Sequence, residues 1–168
     1  MLPLIFGLIL TAAPVQESVP RTLVVEVYQP LELPMGMSDA VITSTNGRFV
    51  LKGLLSNYSD SRPLGIRYSI AVIDSENVIS LVTQSEAVRL APYQAKRVAF
   101  KMSQKVILRE GERFVLMLEQ VVTTDYIWEV LTAKESLAAY IAGDYSVVPR
   151  ISRVPNQVDV RPSSRVIY

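Results

Sequence analysis

The strongest regularity in this chain is alternation. Leu64, Ile66, Tyr68, Ile70 and Val72 share one parity, and Gly65, Arg67, Ser69, Ala71 and Ile73 hold the other. A period of two predicts a strand with one face buried and one wet. The stretch at 49–56 reads as a strand before it. Between the two lies Ser56-Asn57-Tyr58-Ser59-Asp60-Ser61-Arg62-Pro63. Asn, Ser and Asp side chains bond nearby backbone in turns, and proline cannot donate to a ladder, so this segment predicts a polar turn.

The same pattern recurs along the chain. Residues 22–29 alternate, with Leu23, Val25 and Val27 against Thr22, Val24 and Glu26, and Pro30 ends the run. Pro34, Met35 and Gly36 predict a loop, and 40–45 a second strand. Asn46-Gly47 is a hairpin signal, because both residues tolerate positive φ. A turn at 74–77 precedes a short strand at 78–83. Ala91-Pro92-Tyr93-Gln94 predicts a corner. At 96–102, Val98, Phe100 and Met102 face inward and Arg97, Ala99 and Lys101 outward. Residues 103–109 fit neither period. The run at 113–123 is apolar on both faces, which predicts a central strand. A strand at 126–131 closes the series.

The period then changes. Thr132 with Glu135 fits a capping box, Ala133, Leu137, Tyr140 and Ile141 recur at helical spacing, and Gly143 suits a C-terminal cap. These predict one helix at 132–143. A proline-interrupted tail follows at 144–168, with short apolar patches at 145–148 and 158–160. Many short strands separated by turn signals predict an antiparallel β-sandwich over 21–131, with a small barrel as the other candidate.

The opening MLPLIFGLILTAA is apolar and too short to span a bilayer, which needs about 20 residues. It ends in small residues and predicts a cleaved export signal at 1–13, with a lead-in at 14–20 and an extracytoplasmic location. No stable membrane anchor is expected after cleavage. The 168 residues are 49% hydrophobic and 20% charged, which fits one globular domain. A net charge of +1 gives no reason to expect nucleic acid as a partner. Histidine and cysteine are absent. That excludes disulfides, thiolate metal sites and Ser-His-Asp or Cys-His catalysis within the chain.

What remains for chemistry is sparse. Asp74, Glu76 and Asn77 place three oxygen ligands in one turn, fewer than Ca²⁺ takes and without EF-hand spacing. Asp125 and Glu129 share a strand face but stand roughly 13 Å apart along it, beyond a paired-carboxylate site. Ser103 and Lys105 have nothing nearby to desolvate the lysine. No catalytic residue, cofactor or metal is expected. Asn57-Tyr58-Ser59 is a glycosylation sequon or, more simply, an Asx turn. Trp128 and Tyr126, with Tyr58 and Tyr93, are the candidate contacts for a ligand or partner. Tyr145, Val147, Arg150 and Arg153 are the candidate contacts in the tail, which pairs either with its own sheet edge or with another chain. A protein partner is expected first, and a carbohydrate second.

Gly53, Asn57, Ser59 and Asp60, then the pentapeptide at 70–74, then Leu90 and Pro92, then Phe100, follow a recognisable order. Over about residues 48–118 the chain resembles the bacterial immunoglobulin-like modules of the FxLYD type. The name-giving pentapeptide here reads Ile70-Ala71-Val72-Ile73-Asp74 and matches at Asp74. Tyr93 stands where a glycine is usual. The resemblance implies an immunoglobulin-like sandwich and a non-catalytic extracytoplasmic module, and it implies no catalytic residues. The predicted helix and tail lie outside it.

Overall fold

The computed structural model describes residues 21–74, 77–104, 107–130 and 133–154. The expected leader and lead-in, Glu76, Lys105, Thr132 and the tail beyond 154 lie outside the described residues. In chain order the elements are β1 (Arg21–Tyr28), β2 (Met35–Thr45), β3 (Arg48–Asn57), β4 (Pro63–Ile73) and β5 (Val78–Ala87). They continue with β6 (Ala95–Lys101), β7 (Arg113–Thr123), β8 (Tyr126–Glu129), α1 (Ala133–Ile141) and β9 (Arg150–Arg153).

The fold is mostly β with one short helix, as the alternation predicts. The strands follow the path β5-β4-β7-β1-β2-β3-β6, with β8 on β7 and β9 on β8. This path curls into a half-barrel of mixed strand order. The curl turns on β1. Its first half pairs antiparallel with β2, from Arg21 opposite Ser44 to Val24 opposite Val41. Its second half pairs parallel with β7, from Val25 opposite Phe114 to Tyr28 opposite Met117. The expectation of a wholly antiparallel arrangement is therefore corrected. Alternation reports which face of a strand is buried and carries no information about the direction of its neighbour.

β2 begins at Met35, where the sequence predicted a loop. Residues 35–38 pair with 54–57, and the register then slips between Ser38 and Val41. Asp39 and Ala40 together oppose Gly53, and Asp39 takes φ 52°. An extra residue breaks parity, so the strand cannot be followed backward through the bulge by pattern alone. The bulge also explains the glycine. A Cβ on Gly53 would stand 3.0 Å from Met37 Cγ and 3.1 Å from the Ser38 carbonyl oxygen.

The main core joins Ile42, Leu51 and Leu55 to Ile66, Tyr68, Ile70, Leu116 and Leu118. A second cluster lies on the other face of β4 and β7. There Ala71, Ile73, Val115 and Met117 pack with Tyr28, Val130 and Leu137 of α1. Burial on both faces is what the apolar run of β7 anticipates. The helix stops as its Gly143 predicts. Gly143 has φ 84°, its N–H donates to Tyr140 O, and Asp144 N–H donates to Ala139 O. That pair of bonds is a Schellman closure.

Candidate functional site

The polar turn between β3 and β4 is built on Asn57, which is 2% exposed. Its Nδ2 donates to Ser61 O (2.8 Å) and to Ala91 O (3.1 Å). Its Oδ1 accepts from the Ser59 N–H (3.0 Å) and the Ser59 hydroxyl (2.9 Å). Backbone bonds from Asn57 N–H to Gln94 O and from Tyr93 N–H to Ser59 O tie the turn to the 91–94 corner. Both amide hydrogens are used, so the sequon asparagine is closed to glycan attachment in the folded chain. Tyr93 takes φ 56° in that corner, the left-handed backbone that glycine adopts most cheaply.

A second polar group sits on the outer face of β4, β7 and β8. Arg67 Nε lies 3.1 Å from Glu119 Oε2, and Arg67 Nη2 lies 2.7 Å from Glu129 Oε1. Gln120 Nε2 donates to Glu129 Oε1 (3.0 Å), and the Ser69 hydroxyl donates to Glu119 Oε1. Burial works against the Arg67 cation, but the hydrogen bonds and charges of Glu129 and Glu119 outweigh it and hold the guanidinium above its ordinary pKa. This cluster was not anticipated. Its signal was a charged residue, Glu119, inside an otherwise apolar central strand, where a buried carboxylate requires a partner. The carboxylates that were paired by spacing part company. Glu129 binds Arg67, while Asp125 accepts from the Thr124 hydroxyl. Asp74 Oδ1 accepts from the Asn77 N–H (2.7 Å), which closes the turn between β4 and β5. Among the described residues, no group of three metal-ligating side chains forms.

The candidate contact residues are dispersed. Trp128 is half-buried against the main core, and its ring lies 5.6 Å from that of Tyr126. Tyr58 and Tyr93 are exposed in the joined turn and corner. The tail contacts are made within the chain. Val147 packs in the second cluster, and its carbonyl accepts from the Leu31 N–H. Tyr145 meets Tyr140 edge-on at 5.3 Å, and Tyr140 stacks on Tyr28 at 4.4 Å. Arg150 and Arg153 belong to β9, opposite Glu129 and Tyr126.

The two ends of the strand path, β5 and β6, leave a groove of about 390 Å³ lined by residues 87–90 and 96–100. Toward the end of β5 and at the end of β6 it is bridged by one side chain. Gln84 Nε2 donates to Lys101 O (2.7 Å), and Gln84 Oε1 accepts from the Ser103 N–H (3.1 Å). At the other end a second hollow, lined by Arg62, Pro63, Leu64, Arg89, Leu90 and Ala91, adjoins it through Arg89 and Leu90. Val88, Leu90 and Phe100 are buried members of the core at the groove, while Lys96, Arg97 and Lys101 are exposed. Among the described residues, no strand pairs with β6 on the side away from β3.

No family model matches the chain, and neither a curated protein nor a solved structure matches it.

Proposed function

We propose that the protein is an exported immunoglobulin-like module without a catalytic role, which contacts a protein partner through a free sheet edge. The observation that carries this reading is the open β6 edge in a groove with an apolar floor. An unpaired strand offers a row of backbone donors and acceptors to another chain. The half-buried Trp128 favours a protein partner over a sugar, because it is committed to core packing rather than presented as a platform. The immunoglobulin-like assignment is supported by the pairings of β3 with β6 and β4 with β7, in which the chain crosses repeatedly between two halves. Export is supported by the short apolar run ending in Thr11-Ala12-Ala13, and the absence of a catalytic role by a sequence without His or Cys.

The test uses the full tagged chain in its host. The exported form is expected to begin at Pro14 by N-terminal sequencing. A photo-crosslinking residue is placed in turn at Ala99, Tyr58 and Ile151. A single protein adduct that forms at Ala99 is the expected result. Retention of the leader in a cytoplasmic product, or no adduct at any of the three positions, overturns the reading.

A further inference from the structure

We propose that the β6 edge takes an extended acidic segment of alternating apolar and acidic residues, which adds as a strand beside β6. This inference rests on the protein-binding reading above and names the edge and the chemistry of its partner.

The backbone supplies the first part of the argument. The Met102 N–H donates inward to Phe49 O (2.9 Å), whereas the Lys101 carbonyl is turned outward to Gln84. In an antiparallel ladder, alternate residues direct both N–H and C=O to the same side. Ala99 and Arg97 therefore share the outward direction of Lys101. Gln84 already imitates a neighbouring strand at one end, because its carboxamide serves one carbonyl and one N–H. Among the described residues, the stretch from Arg97 to Ala99 has no such cover.

The side chains supply the second part. Val98 and Phe100 face the groove, where Val88 and Leu90 complete an apolar floor. On the opposite face stand Arg97 and Lys101, with Lys52 directly across from Ala99 on β3. Lys96 and Arg89 line the groove itself, and Arg62 the adjoining hollow. No carboxylate occurs in β3 or β6, and across the groove on β5 the Glu86 carboxylate accepts from Gln84 Nε2. None of these six cations takes part in a salt bridge among the described residues. A strand laid beside β6 would thus turn one parity to an apolar floor and the other to positive charge that has no salt-bridge partner among the described residues. Like charge discourages a second copy from pairing edge to edge, while an acidic strand is attracted. The chain's own segment at 155–168 carries two arginines and one aspartate, so it lacks the complementary charge.

The test measures fluorescence anisotropy of labelled eight-residue peptides with the full chain. Alternating Glu-Val is expected to bind about ten-fold tighter than Gln-Val, and Lys-Val more weakly than either, with the difference shrinking as salt rises. Charge reversal at Lys96, Arg97 and Lys101 to Glu should invert the order. Ala99→Pro removes one outward N–H and should weaken Glu-Val binding about ten-fold. Should that variant fail to fold, a Glu-Val peptide N-methylated at alternate amides makes the same cut with the protein untouched. Equal binding of Glu-Val and Gln-Val, or full binding of the N-methylated peptide, overturns the proposal. So does Glu-Val binding that appears only after residues 155–168 are removed, since the tail would then be the occupant. If these peptides fail while adducts still form at Ala99, only the acidic partner class is lost. If adducts fail everywhere, the broader reading falls as well.

Discussion

Asn57 shows how one side chain can hold two distant turns. It donates to residues 4 and 34 positions away and accepts twice from Ser59. Asn57→Ala would remove one donor each from the Ser61 and Ala91 carbonyls and the acceptor of the Ser59 N–H, around a side chain that is itself buried. At about 1 kcal/mol for each lost bond, the expected cost is roughly 3 kcal/mol, read from urea unfolding. Asn57→Asp should also destabilise, because a carboxylate oxygen would then face two carbonyls. Tyr140 offers a pH test. Burial comes first, followed by its hydrogen bond to Glu26 and that carboxylate's charge, and together they push its pKa up to about 12. The unfolded phenol releases its proton near pH 10, so between these values the native state binds more protons. Its stabilising effect is therefore complete below pH 10 and is lost as pH rises toward 12. Tyr140→Phe keeps the ring on Tyr28 and should flatten the fall in stability over that window, followed by denaturant midpoints at stepped pH.

At the level of elements, α1 and β9 are the parts whose role the sequence left open. The helix was legible from Leu137, Tyr140 and Gly143, yet nothing in its spacing said which surface it covers. The structure places it over Ala71, Ile73, Val115 and Met117, a second apolar face that β7 announces by having no polar parity. β9 was illegible for a different reason. Arg150, Ile151, Ser152 and Arg153 are all exposed, so no buried face marks them as a strand. Pairing with β8 is made by backbone, which the residue pattern does not record. The bulge at Asp39 hid the first part of β2 in a similar way. Arg67, Glu119 and Glu129 come together only because three strands meet, and separations of 52 and 62 residues leave no local trace. A chain ending at Gly143 loses Val147 and the whole of β9. Burial of one such aliphatic side chain is worth about 1.5 kcal/mol or more, so truncation should lower the melting temperature by several degrees. In limited proteolysis the segment through Val154 should resist cleavage in the intact protein. An unchanged melting temperature would make that segment a free arm.

For the whole molecule, the deciding feature is a path of strands that curls without closing by a ladder. On one side β1 serves both halves, first with β2 and then with β7. On the other side, among the described residues, no ladder joins β5 to β6, and they are linked through the Gln84 carboxamide at one end and the 88–94 connection at the other. A side chain is a weak substitute for a strand, because it fixes two backbone groups where a ladder fixes one pair after another. Gln84→Ala should therefore cost only about 2 to 3 kcal/mol, the worth of its hydrogen bonds to the Lys101 carbonyl, the Ser103 N–H and the Glu86 carboxylate at a partly exposed site. The effect should be local. Hydrogen exchange at Ser103 should speed up markedly, while the amides of β4 and β7, paired on both sides, keep their protection. The same variant bears on function. It frees the Lys101 carbonyl and the Ser103 N–H, and so lengthens the open edge by the two groups that Gln84 had masked. An acidic strand that adds to β6 should then bind at least as tightly as before, despite the lower stability. Weaker binding together with fast exchange confined to Ser103 would mean that Gln84 holds the groove in its binding shape rather than merely limiting its length. Fast exchange spreading into β4 and β7 would mean that this one side chain holds the curl itself.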